Sequence, residues 1–274
     1  MVHVMTAGLY ELMIIVYAVS IILYVVDYLY KVPKAKRRAF WLVSLVWVAQ
    51  TLFLVNFVFE TKRFPILSLY EGIFFYAWLL ITISIALHCF ARADLPVFFV
   101  NILAFIFTTI HTFAPNNTNV VATTMVSEML LIHIGFGILA YAAFSLSFVF
   151  AILYILLYRV LKKKKFSKQW TRLPSLDATT RWIHFSALVG ICLLVVSLIL
   201  GSEWALLTID DVSILDFKIV GSFILVLLYS IILYASRLGR LIGTQYAWVH
   251  VYAYLFLIIN FFLGNSLSNF HVWY

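Results

Sequence analysis

Charged side chains are scarce in this sequence: they make up 11% of its 274 residues, against 65% for the apolar types. Soluble domains run near a quarter charged and half apolar, so the balance excludes a soluble fold and leaves no stretch polar enough for a separate soluble domain. Alternating strands are missing as well. The spans of a membrane barrel read as about ten residues of alternating hydrophobicity. Here continuous apolar runs of about twenty recur, the length that one membrane-crossing helix needs. Cysteine is nearly absent: Cys89 and Cys192 lie singly near or inside apolar runs, and no CxxC pair exists for disulfide exchange. Nor is there a glycine-rich phosphate loop, an HExxH, a pair of membrane carboxylates or a Ser-His-Asp arrangement.

What is present is a series of eight apolar runs, at 8–30, 39–59, 69–90, 97–113, 129–161, 182–200, 217–235 and 249–263. They predict an all-α polytopic membrane protein of about eight transmembrane helices, with 1–274 forming one integral membrane domain. The first run carries Glu11 and Asp27 and lacks a basic leader and a small-residue cleavage site, so it is expected to be retained. Of the nineteen Lys and Arg residues, all but Lys62, Arg63 and Lys218 fall on the loops after the first, third, fifth and seventh runs or on the adjoining helix ends. Basic residues in short loops stay cytoplasmic. This sixteen-to-three split predicts a membrane orientation with both termini outside. The net charge of +8 is then mostly the topology signal plus attraction to anionic headgroups, and it does not call for nucleic acid.

The fifth run has unusual length. As a helix it would extend roughly 50 Å, beyond the hydrocarbon core, so it should tilt or project into the cytoplasm. It leads into the loop at 159–181, where eight basic residues face one acid, Asp177. Two readings stand for that loop: a solvated, lipid-facing segment, or a docking surface for an acidic cytosolic partner.

Seven histidines are the chemically informative residues, because neutral imidazole is a strong iron ligand and is uncommon in membrane spans. The predicted topology puts His88, His184 and His250 at cytoplasmic ends, and His3, His111, His133 and His271 at the outer face. His133 and His271 fall at one depth. Two imidazoles across an aromatic pocket are what an iron porphyrin with two axial ligands needs. The competing reading makes these residues ordinary members of the interfacial belt. No polar residue lines mid-membrane positions at regular spacing, which gives a porphyrin exporter little support. Asp27, near the cytoplasmic end of the first run, reads as interfacial or paired.

Four segments then occur in order. Leu69-Tyr70-Glu71-Gly72 opens the third run and leads to Trp78, and His133 is followed by Tyr141-Ala142-Ala143-Phe144. Gly201-Ser202-Glu203-Trp204-Ala205 follows the sixth run, and Gly264-Asn265 with His271-Val272-Trp273-Tyr274 closes the chain. Together they resemble the heme-handling family of cytochrome c assembly proteins. The resemblance implies a non-covalent, b-type heme. It carries the axial-ligand roles to His133 and His271, packing along the heme edge to Trp204, and cofactor-lining positions to Tyr141 and Asn265.

Two departures fall on the machinery of the family's synthases. Their tryptophan-rich presentation loop is reduced at 203–218 to Trp204, Asp216 and Lys218, and their inner histidine is replaced by Ala235. In these respects the chain is similar to the HemX-type branch of Gram-positive bacteria. That likeness implies a non-enzymatic regulator that lowers the level of glutamyl-tRNA reductase, with the reductase or its degradation machinery meeting the loop at 159–181. The alternative implied by the wider family is a synthase-like subunit that handles or exports heme for cytochrome c assembly.

Overall fold

The computed structural model describes residues 2–91, 94–113, 127–163, 174–208 and 216–267. Among them are eight α-helices and no strand: α1 (Val2–Tyr30), α2 (Pro33–Thr61), α3 (Leu69–Ala86), α4 (Asp94–Phe113), α5 (Glu128–Lys162), α6 (Leu176–Thr208), α7 (Phe217–Arg237) and α8 (Gly243–Leu267). A π-helical turn, Leu87–Ala91, extends α3. All eight helices are long and apolar enough to cross a bilayer, so the protein is a multi-pass helical membrane protein.

Every expected span is present, but several helices overrun their apolar runs because charge ends a run without ending a helix. Pro33 starts α2 at the position where proline forfeits no hydrogen bond, and Lys34, Arg37 and Arg38 are exposed in its first two turns. Similarly, α6 continues past Gly201 through Trp204, Ala205 and Leu206 to Thr208. At 35 residues α5 is about 52 Å long, as its apolar run predicts, and α6 with 33 is nearly as long.

The helices fall into two compact units, α1 to α4 in the first and α5 to α8 with Ile66–Ser68 in the second. In the first unit α1 runs antiparallel to α4, bringing Tyr10 to His111 and Tyr17 to Asn101. Likewise α3 runs antiparallel to α4, bringing Tyr70 to His111 and Ser84 to Asn101. Asn101 is the polar hub: its side-chain oxygen accepts from the Tyr17 hydroxyl at 3.0 Å, and its amide donates to Ser84 Oγ at 2.6 Å and to the Val97 carbonyl at 2.9 Å. A buried asparagine whose donors and acceptor are both used fixes one helix register, because any slip leaves polar atoms unpaired in an apolar interior. Between α2 and α3, the stacked indoles of Trp47 and Trp78 donate to Thr82 and Thr51.

In the second unit α5 and α6 form the most extensive pair and run antiparallel, with Leu130 against Trp204, His133 against Ser197, Ser147 against Ile183 and Phe150 against Trp182. Small residues permit the close approach. A Cβ on Gly190 would lie 2.7–3.0 Å from the ring of Phe144, whose other face stacks on Tyr229 at 4.0 Å. Ser127 caps α5 by accepting the Leu130 N–H at 3.2 Å, and Asp216 caps α7 by accepting the Lys218 N–H at 2.9 Å.

Candidate functional site

His133 lies one turn inside α5, half-buried against α6. Its Nδ1 is 2.6 Å from the Ser197 carbonyl oxygen. A carbonyl only accepts, so Nδ1 carries the proton and Nε2 holds the lone pair. The ring lies over Gly201, where a Cβ would collide with it. Ser197 Oγ donates to the backbone carbonyl of His133 at 2.8 Å, tying the two helices a second time. Metal-ligating imidazoles are commonly held in this way, with one ring nitrogen anchored on a backbone carbonyl. Among the described residues no group of three or more His, Cys, Asp or Glu could hold a metal ion.

Trp204 sits one turn beyond Gly201 on α6, 9% exposed, in an apolar cluster with Leu67, Leu130 and Ala205. The structure thus brings Trp204 and His133 to the same end of the α5–α6 pair, and it places Trp204 on a helix rather than in a loop. Tyr141 lies eight residues along α5 from His133, about 12 Å deeper. Its ring meets Phe261 edge-on at 5.8 Å, and its hydroxyl lies beside Asn260 and Ser222. His271, the side chains of Asn265 and His3, and positions 209–215 and 164–173 of the two loops lie outside the described residues.

His111, in the first unit, shares part of this geometry. Its Nδ1 is 3.1 Å from the Tyr70 carbonyl oxygen, while Tyr10, Tyr70 and Phe74 surround the ring at centroid distances of 5.7, 3.8 and 4.7 Å. It is 2% exposed, and its Nε2 is buried without a hydrogen-bond partner.

The exceptions to the charge split have structural company. Arg63 forms a two-pronged pair with Glu71 at 2.6 and 2.8 Å, and Lys218 follows the capping carboxylate of Asp216. At the opposite end of α5, Arg159, Lys162 and Lys163 are exposed.

Sequence reasoning missed the polar interior of the second unit. Ser147 Oγ lies 2.9 Å from His250 Nδ1, Ser145 donates to the Tyr254 hydroxyl at 3.2 Å, and Asn260 packs over Gly221. These residues come from three helices at irregular spacing, so no single span announces them. The one available signal was glycine opposite polar residues, a mark of close helix contact that becomes readable only once the pairing is known.

Comparison with known proteins matches residues 66–271 to the family described as cytochrome C assembly protein. The chain is 42% identical over 273 residues to Protein HemX of Bacillus subtilis (strain 168), covering 99% of each chain. It is 36% identical over 267 residues to Protein HemX of Brevibacillus brevis, covering 97% of this chain and 98% of that one.

Proposed function

Because the chain belongs to the cytochrome C assembly protein family, we propose that it is a non-enzymatic, heme-binding membrane protein that regulates heme biosynthesis by lowering the level of glutamyl-tRNA reductase. The observation that carries heme binding is the His133 imidazole, anchored through Nδ1 on the Ser197 carbonyl with its Nε2 lone pair left for iron. In this reading His133 and His271 would hold the iron of a non-covalent b-type heme. Trp204 packs along its edge, and Tyr141 and Asn265 line the cofactor. Bis-imidazole ligation supplies a low-spin iron with sharp reduced-state absorption bands.

The charge split supports a single integral unit with both termini outside, and the bacterial relatives support a place in the bacterial cell membrane. The basic end of α5 then faces the cytosol, where the loop at 159–181 meets the reductase or its degradation machinery. A synthase-like subunit that handles or exports heme for cytochrome c assembly is the second reading, favoured by the family description. Ala235 in place of an inner histidine and the reduced tryptophan content of 203–218 weigh against it.

One deletion experiment decides between the two. Removing the gene should raise glutamyl-tRNA reductase and heme while leaving c-type cytochromes intact. Loss of mature cytochrome c with unchanged reductase would overturn the regulator reading. Neutralising Lys162, Lys163, Lys164 and Lys165 should copy the deletion. Membrane orientation must be checked in parallel, because four lost charges can invert a topology.

A further inference from the structure

The end of the first unit formed by the close of α1, the start of α2, the π turn and the start of α4 holds a pocket that the heme reading does not use. Its charged lining is balanced: Lys31 and Lys36 against Asp27 and Asp94, with His88 beside them. Lys36 also pairs with Asp94. Tyr24 lines the same pocket, is 6% exposed, and its hydroxyl is buried without a hydrogen-bond partner. Unsatisfied buried hydroxyls are rare in folded proteins, and one aimed into a charged pocket calls for a ligand atom.

Size and charge narrow the ligand. The enclosed space is about 40 Å³, room for one end of a polar head with the rest at its open mouth, and far too little for a macrocycle. Two ammonium groups and two carboxylates cancel, so a net anion gains little, whereas a ligand carrying both signs meets complementary partners. The residues sit at the ends of membrane-spanning helices, which is the depth of lipid headgroups. Phe98 and Val97 supply apolar walls for the adjoining chain. Exposed Lys34, Arg37 and Arg38 at the same end attract anionic lipid without distinguishing among headgroups.

We propose that this pocket binds a primary ammonium beside a phosphodiester anion, presented as the headgroup of an aminophospholipid. The ammonium is met by Asp27, Asp94 and the oxygen of the Tyr24 hydroxyl, and the phosphodiester by Lys31 and Lys36.

The test uses the full chain purified in mild detergent, with retained lipid counted by native mass spectrometry. The probes are phosphatidylethanolamine, phosphatidylcholine, phosphatidylglycerol and free phosphoethanolamine. Phosphatidylcholine keeps the phosphate and positive charge but has no N–H to donate, and phosphatidylglycerol keeps only the anion. Phosphatidylethanolamine should be held about tenfold more tightly than either, and free phosphoethanolamine should displace it. Tyr24→Phe should lower that preference several-fold, and Lys31→Gln should lower retention of all three lipids alike, both leaving the heme spectrum unchanged. Equal retention of the three lipids, an unchanged preference in Tyr24→Phe, or unchanged retention in Lys31→Gln would overturn the proposal. Binding of phosphoethanolamine without any preference for the intact lipid would overturn the lipid source. The displacement arm needs no variant, so a substitution that fails to fold leaves the test decisive.

Discussion

His111 in the first unit and His133 in the second are oriented by the same device and differ in access. Each donates Nδ1–H to a backbone carbonyl of a neighbouring helix, Tyr70 at 3.1 Å and Ser197 at 2.6 Å, and so presents Nε2 as the lone-pair nitrogen. Tyr10, Tyr70 and Phe74 close around His111. His133 instead lies across a glycine and stays half-buried. A fixed tautomer is therefore not enough to make a ligand, since the nitrogen must also be reachable. On this ground the proposed reading gives iron to the imidazole of the second unit and a structural role to that of the first.

The largest effect should come from breaking that distinction directly. Replacing His133 with Ala should lower heme affinity about a hundredfold or more, because removing a ligand costs at least what removing its outer partner does. The bis-imidazole bands should disappear from the visible spectrum. His111→Ala should leave the spectrum intact and cost about 3 kcal/mol of thermal stability, the price of emptying a packed ring site. Heme loss in His111→Ala with retention in His133→Ala would reverse the assignment.

Next in size is a substitution that leaves every ligand in place. Gly201→Ala puts a methyl group into the His133 ring, and overpacking of this kind costs about 1–3 kcal/mol. It should also turn the imidazole off its carbonyl anchor. Gly135→Ala, two residues from His133 on α5, meets nothing within 4 Å. It should be neutral or stabilising by about 0.5–1 kcal/mol. Thermal unfolding in detergent with the heme spectrum recorded on each sample compares them, and equal behaviour of the two would mean the ring does not rest on α6.

Glu71→Gln probes the first unit again. Its side chain is 11% exposed and that of its partner Arg63 is 22% exposed, so the pair is partly screened. Losing one carboxylate should cost about 1–2 kcal/mol, since it strands a guanidinium among apolar neighbours. Replacing Arg63 as well should recover most of that loss. A double variant no more stable than the single one would show the fork to be incidental.

The two regions were not equally legible in the sequence. Eight spans could be read because lipid demands continuous apolar runs, and the length of α5 followed from its uninterrupted sequence. Helix ends were less legible: α2 and α6 run on through charged or mixed turns where no residue breaks the helix. At the site, His133 and Trp204 were visible as members of ordered motifs, and their proximity follows from the antiparallel pairing of α5 with α6. Ser197 was invisible, because its decisive atom is a main-chain oxygen and a serine in an apolar run looks like any small interfacial residue. The same holds for Gly201, whose use is defined by a ring on another helix, 68 positions earlier in the chain. Pairings of this kind are long-range facts that no local pattern encodes.

The smallest predicted effect tests whether a main-chain oxygen really is the anchor. Ser197 offers His133 two oxygens: the carbonyl at 2.6 Å and the hydroxyl at 3.1 Å from Nδ1. The hydroxyl has other work, since it donates to the His133 carbonyl at 2.8 Å. Ser197→Ala deletes the hydroxyl and keeps the carbonyl, so the imidazole should hold its tautomer and the heme bands should not move. Stability should fall by about 0.5–1.5 kcal/mol for the one hydrogen bond lost. A neighbouring glycine sharpens the test. A Cβ on Gly137 would stand 3.2 Å from Ser197 Oγ, closer than packing comfortably allows. Gly137→Ala should therefore cost more in the native background than in Ser197→Ala, with a coupling of about 0.5 kcal/mol or more between the two positions. If Ser197→Ala alone abolished the bis-imidazole spectrum, the hydroxyl and not the backbone would be the orienting group, and the likeness between His111 and His133 would fail at its first step.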